Sequence, residues 1–451
     1  MDKTFGIDGK ELGAVIRAHR KKRGLSIENL ADENISATTI SNIERGLPSV
    51  GADKTEYLMK KLGISIEKLL QTAEEHEKKR QAARLRLLSV EMMLDRGELR
   101  KARHLLEQLH PEEESLLPEY YFVTGKCHCF LENWKRAEEA LFKAIEYTQQ
   151  QGRERTNIEA AAYANLGQCG YQRGDLDQAL DYADKGLKAF VEGGERGEYK
   201  YVLLHNKAVY LRERELWGPA LNVVEEAWKD RDRIERTATL LGLYYLRADC
   251  LRKTNDFEGA FHTALEGLKR ARISQHYLQA FNLWNLLGDL YKMKGEWAEA
   301  VHCYTMALDL KDETDDPVVV SSTYAELGRL YIQRGEWDRA FEYANKAAEI
   351  AERYESFPRL VNALNIMGDY WRMRNRKTEA VQYYQRALEL ARRHQLRHQE
   401  YELLFHLARC WRGVDEEKFL NCLREMHIMK EKEGEIPRGG DFRDPMPRWW
   451  G

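Results

Sequence analysis

Apolar positions in the first seventy residues fall three and four apart, with Leu12, Val15 and Ile16 on one stripe and Ile40 and Ile43 on another. That spacing predicts short amphipathic helices. The first runs from Lys10 to Lys22 and ends at Gly24. Ser26 caps a second, from Ile27 to roughly Glu33, and Ser36 caps a third that ends near Gly46, since a serine oxygen accepts from the free amides of a first turn. A fourth covers Ala52 to Lys61, Gly63 breaks it, and Ser65 opens the next.

With Ile40 and Ile43 turned inward, Ala37, Thr38, Ser41, Asn42 and Arg45 are left on the outer side of the third helix. This face is small, polar or basic, a chemistry that fits a major groove and reads base edges. Arg20 and Arg23, at the basic end of the first helix, are candidates for phosphate contacts. Glu11 to Leu70 resembles the repressor-type helix-turn-helix domain of bacterial and phage regulators, through RAHRKKRGLS, LADENISATTISNIERG and LMKKLGISIEKLL. Ile27 and Ala37 depart from that pattern, which usually has Gln and a longer polar residue there. Residues 1–70 carry 12 Lys+Arg against 10 Asp+Glu. So small an excess of positive charge predicts weak binding by one module, hence a homodimer reading two half-sites of a double-stranded operator.

Beyond residue 85 one pattern repeats. GDLDQA, NDFEGA, GEWAEA, GEWDRA and NRKTEA end on Ala179, Ala260, Ala300, Ala340 and Ala380, and Ala102, Ala137 and Ala220 belong with them. The last four intervals are each 40 residues, a constancy that marks a repeat array. Twelve residues before most of these alanines stands Gly125, Gly167, Ala208, Ala248, Gly288, Gly328 or Gly368. Small residues at fixed places allow two helices to cross closely, so each unit reads as a helical hairpin stacked on its neighbours. Residues 287–308 resemble the tetratricopeptide repeat, lengthened from its usual period. The expected architecture is all-α: a helix-turn-helix domain over 1–70, a helical linker over 71–84, a solenoid of about nine hairpins over 85–430 and a tail over 431–451. The resemblance implies a right-handed superhelix.

It also implies which side chains line the concave wall. Counting from the small residue gives Asn282, Asn285, Asp289 and Lys292 in one unit and Asn362, Asn365, Asp369 and Arg372 in another. Ser322 and Arg329 lie between them. Earlier units offer Tyr245, Asp249 and Arg252, then His205 and Arg212, then Gln168, with Asn165 and Asn206 one place off. An asparagine both donates and accepts, so a row of them can hold a peptide backbone. The arginines suit a ligand carboxylate and the aspartates an amine. The whole layout resembles the peptide-sensing regulators of Gram-positive bacteria. That resemblance implies a short oligopeptide ligand controlling DNA binding. The alternatives are a protein that binds a response regulator, with or without removing its phosphate, and a constitutive interaction scaffold.

Composition narrows this picture. Net charge is −3, no apolar run is long enough to span a membrane and the N-terminus lacks a secretory h-region. Seven scattered cysteines fit no disulfide framework, and a cytoplasmic protein is expected. Phosphate-loop, dinucleotide and zinc-protease motifs are absent. Cys127 and Cys129 point apart on a helix, and His394 and His398 lack a third ligand. The expectation is no cofactor, no metal and no catalysis of the protein's own.

Overall fold

A buried glycine sets how the first helices meet. The computed structural model describes residues 3–4, 7–47, 51–109, 114–313 and 317–433. In it α1 (Gly9–Lys22) and α3 (Ala37–Glu44) cross at Gly13, where any Cβ would lie 2.3 Å from the carbonyl oxygen of Ile43. Between them is the short α2 (Ile27–Leu30), and α4 (Ala52–Lys61) follows. Leu12, Ile16, Leu30, Ile35, Ile40, Ile43, Leu58 and Leu62 form their shared core. Two two-residue strands, β1 (Lys3–Thr4) and β2 (Ile7–Asp8), pair antiparallel ahead of α1.

Both predicted serine caps are present: Ser26 accepts from the Asn29 amide and Ser36 from the Thr39 amide, each at 3.1 Å. The second helix is shorter than expected, stopping after Leu30 rather than near Glu33. The Asp32 carboxylate accepts from the amides of Asn34 (2.8 Å) and Ile35 (3.0 Å), a local turn that competes with helix. Lys61 and the Tyr57 hydroxyl also bind that carboxylate and hold it well below the usual range. The third helix likewise stops at Glu44, with Gly46 in the left-handed region.

No break separates the expected linker from the first repeat. Residues 66–95 form one 30-residue helix, α5 (Ile66–Asp95), followed by α6 (Leu99–Glu107) and α7 (Leu117–Phe130). The chain divides into two compact units, Met1–Leu131 and Glu132–Gly451.

The second unit opens with α8 (Trp134–Gln150). Antiparallel pairs follow: α9 (Ile158–Gln172) with α10 (Leu176–Ala189), α11 (Tyr199–Glu213) with α12 (Trp217–Trp228), and α13 (Thr237–Lys253) with α14 (Phe257–Ile273). Then come α15 (Tyr277–Lys294) with α16 (Trp297–Asp309), α17 (Pro317–Arg334) with α18 (Trp337–Arg353), α19 (Phe357–Met373) with α20 (Lys377–Arg393), and α21 (Arg397–Trp411) with α22 (Glu416–Glu433). From α17 to α21 the connectors are two or three residues long, so the added length of the repeat lies in its helices. Ala179, Ala220, Ala260, Ala300, Ala340 and Ala380 are fully buried where the helices of a pair cross. The tail residues 434–451 lie outside the described residues.

Candidate functional site

Successive first helices of the hairpins stack so that their equivalent faces adjoin. Across α11, α13, α15, α17 and α19 those faces line one cavity of about 540 Å³. It brings together Arg212, Tyr245, Asp249, Asn282, Asn285, Asp289, Arg329 and Asn362, all named from the sequence. The volume falls in the range of ligand pockets.

A ladder of charge pairs crosses this wall. Arg212 donates to Glu213 at 2.6 Å, Arg252 to Asp249 at 2.6 and 3.2 Å, and Lys292 to Asp289 at 3.2 Å and Glu326 at 2.6 Å. Arg329 donates to the Asn362 carbonyl and lies 3.8 Å from Glu326. Burial opposes the charge on Lys292, but Glu326 and Asp289 outweigh it and raise its pKa. Asn285 is held on both sides: its amide donates to the Phe281 carbonyl at 3.0 Å and its oxygen accepts from the Thr323 hydroxyl at 2.8 Å. Asn282 is nearly buried, and its Nδ2 has no acceptor.

Tyr304 completes the wall, and the sequence reading missed it. Its hydroxyl donates to Asp289 at 2.5 Å, and its ring occupies the space beside Gly288, where a Cβ would be 2.7 Å away. Eighty residues on, Tyr384 donates to Asp369 at 2.8 Å and its ring fills the space beside Gly368. A glycine, an aspartate one place later and a tyrosine sixteen places after the glycine were the available signal. Glu213, Thr323 and Glu326 also escaped notice, because their roles depend on contacts within or between the helices.

Other expected ligand residues stand apart from the cavity lining. Asn165 is buried in the helix stack, its amide bonded to the Ala161 carbonyl at 2.8 Å. His205 and Asn206 are buried too, 3.2 Å apart, and burial lowers the imidazole pKa to about 4. Gln168 is nearly buried on α9. These residues correct the expectation of an open polar wall: at their places in the stack the side chains meet neighbouring helices. Asn365 reaches Glu402 at 3.3 Å, and Asp369 accepts from Arg372 and Tyr384.

In the first unit Thr38 and Arg45 are exposed, and Ala37, Ser41 and Asn42 are half-buried, on the side of α3 away from the core. Arg23 is exposed at the end of α1. Arg20 corrects the phosphate assignment. It is buried, its Nε and Nη2 donating to the two Glu44 oxygens at 2.6 and 3.0 Å and its Nη1 to the Leu25 carbonyl at 2.8 Å. The Glu44 hydrogen bond, against the cost of burial, raises the guanidinium pKa further.

Among the described residues no three His, Cys, Asp or Glu side chains cluster as metal ligands, and no helix is long and apolar enough to cross a membrane. The His394 ring stacks on Phe357 with centroids 3.7 Å apart.

Tetratricopeptide repeat profiles match residues 319–393 and 283–318. No curated protein matches the chain in sequence. Several solved structures share its fold. The apo form of the quorum sensor NprR from B. thuringiensis is 14% identical with a TM-score of 0.59, covering 78% of this chain and 98% of that one. The apo form of RapI is 15% identical with a TM-score of 0.59, covering 79% and 99%. A Rap protein complexed with competence and sporulation factor is 16% identical with a TM-score of 0.55, covering 78% and 98%. At such identities the likeness shows the fold, an all-α tetratricopeptide-type superhelix.

Proposed function

We propose that this protein is a cytoplasmic regulator whose DNA binding responds to a short peptide held in the cavity of the second unit. The observation that carries the reading is the cavity wall itself: asparagines and charge pairs contributed by five successive hairpins. Repeated polar groups at helix-to-helix spacing suit an extended backbone, which offers a carbonyl and an amide at every residue. A Rap protein of the same fold is complexed with competence and sporulation factor, which supports a ligand for a repeat array of this kind.

The first unit supplies the output. α2, the turn at Asp32 and α3 form a helix-turn-helix whose outer face carries Thr38, Ser41, Asn42 and Arg45. The Ser36 cap holds the N-terminal turn of α3 in shape, and that turn approaches the groove first in such domains. Two copies of the chain, as a homodimer, read two half-sites. The ligand acts by binding one arrangement of the dimer more tightly than another, so that occupancy shifts the population that binds DNA. The protein performs no catalysis in this scheme.

The test is retention of DNA fragments, selected from a random pool, by the full chain and by an Asn42→Ala/Arg45→Ala variant. The variant is expected to lose sequence-specific retention with helicity unchanged, because Asn and Arg pairs discriminate bases by roughly 1–3 kcal/mol each. Equal retention by both proteins would remove α3 as the reading helix.

A further inference from the structure

The repeat array has an open end. In the first helix of a hairpin, three positions face the hairpin before it: five and two places before the small residue at the helix crossing, and two places after it. In α13 they are Leu243, Leu246 and Cys250, and in α15 Leu283, Leu286 and Leu290, all buried. Leu243 and Leu246 share a core with Val224 and Ala227 of α12. Leu283, Leu286 and Leu290 share one with Ala264 and Leu268 of α14. The same three positions are buried in α9, α11 and α19.

Counting back twelve from Ala102 puts the crossing of the first hairpin at Val90 in α5, and the three positions at Leu85, Leu88 and Met92. They are apolar like those of α13 and α15, yet they are 64%, 62% and 61% exposed. On the opposite face of α5, Leu87, Val90 and Leu94 are buried. The helix-turn-helix unit precedes α5, and among the described residues no hairpin comes before it. A terminal repeat ordinarily turns a polar face outward, and this one presents an apolar stripe.

We propose that a second copy of the chain covers it, the two α5 helices packing stripe to stripe across a two-fold axis. This rests on the homodimer in the reading above and gives that dimer a place. Spacings of three and four residues make the kind of seam by which two helices interlock. A two-fold contact needs one patch that fits itself, and with Gln81 the stripe holds no charge over four successive seam positions. The charges flanking its C-terminal half are already paired within one copy: Glu91 and Asp95 are met by Lys126 of α7 at 3.5 and 2.7 Å, and Arg96 lies 3.1 Å from Glu98. At on the order of 100 Å² each, the six exposed side chains of two copies supply about half of the ~1,200 Å² that a small stable dimer buries, and the flanks of α5 supply the rest. Only residues 62–65 separate α4 from α5, so pairing at the stripe ties two copies of α3 into one reader of two half-sites.

The experiment compares the full native chain with Leu88→Glu by sedimentation equilibrium, and adds a full chain carrying p-benzoylphenylalanine at position 88 for photo-crosslinking. The native protein is expected to be a dimer at about 10 μM. Leu88→Glu is expected to raise the dimer Kd about a hundredfold or more, because two glutamates enter an apolar seam. Its helicity and urea midpoint are expected to stay native, and Leu88→Ile is expected to keep the dimer. Irradiation is expected to join two chains, with the label on α5 of the second. A dimer left intact by Leu88→Glu, a label outside α5, or a label within the same chain overturns this placement and leaves the homodimer standing. Lost helicity in Leu88→Glu would mean that the stripe is packed within one copy, and overturns it too. A native monomer at that concentration overturns both the placement and the homodimer, without touching the cavity reading.

Discussion

Arg20 and Arg329 both sit beside a glutamate, yet one closes the molecule and the other leaves it open. Arg20 and Glu44 form a two-pronged pair with side chains 10% and 5% exposed, and a backbone carbonyl takes a third donor. Arg329 is 34% exposed, keeps its glutamate at 3.8 Å and retains a buried donor with no acceptor. The first arrangement is complete and joins α1 to α3. The second is incomplete by itself and faces a cavity. The difference teaches that a charge is a candidate for ligand binding when it keeps exposed surface on a cavity, whatever its residue type.

Breaking the closed pair is the largest expected effect. Arg20→Ala leaves Glu44 buried and alone and should cost about 3–5 kcal/mol, read as early unfolding of the first unit in a urea titration followed by amide exchange. Arg20→Met with Glu44→Leu should recover most of it, as apolar replacement of a buried pair often does. If the single variant is as stable as the native chain, the pair does not join the helices.

The helix stack beyond the cavity depends on tight spaces as well as charges. Gly368→Ala places a Cβ 2.3 Å from the Tyr384 ring and should cost about 1–3 kcal/mol through overpacking. A thermal transition unchanged from the native one would show that the tyrosine moves freely and does not fix Asp369.

A pH titration sharpens the contrast further. Burial depresses His205 to about 4, against roughly 6.5 in an unfolded chain. Its contribution to stability is therefore fully present above pH 6.5 and is lost as pH falls towards 4. The slope is at most about 1.4 kcal/mol per pH unit for one proton. His205→Gln should flatten that part of the curve, measured as the urea midpoint of the second unit. An identical slope in the variant would place the acid sensitivity elsewhere. The smallest effect is Ser36→Ala, about 1 kcal/mol for a lost helix cap, seen in the urea midpoint of the first unit. No change there would mean that the Ser36–Thr39 bond is not made in solution.

Periodicity carried the architecture well. Alanines forty residues apart and serines before apolar stripes located helices that the structure contains, because such signals are local. The boundary of α2 was less legible, since the Asp32 turn competes with a helix that the apolar spacing allows equally well. Arg20 looked like its neighbours Lys21 to Arg23 because its partner lies 24 residues away. The cavity residues Asn282, Asn285, Asp289 and Arg329 followed from repeat register. Asn165 and Asn206, one place out of register, are buried instead. Glu326 could not be read as a bridge without knowing that α17 packs beside α15.

The central claim is that an occupied cavity changes how the first unit holds DNA. The most direct measurement is the Kd of the full chain for its selected DNA, with and without a saturating peptide that the protein retains from a random octapeptide library, in the native protein and in Arg329→Gln. The account predicts a shift of about 5- to 150-fold in the native protein and a much smaller one in the variant at the same peptide concentration. Equal DNA affinity in the presence and absence of a bound peptide would contradict it.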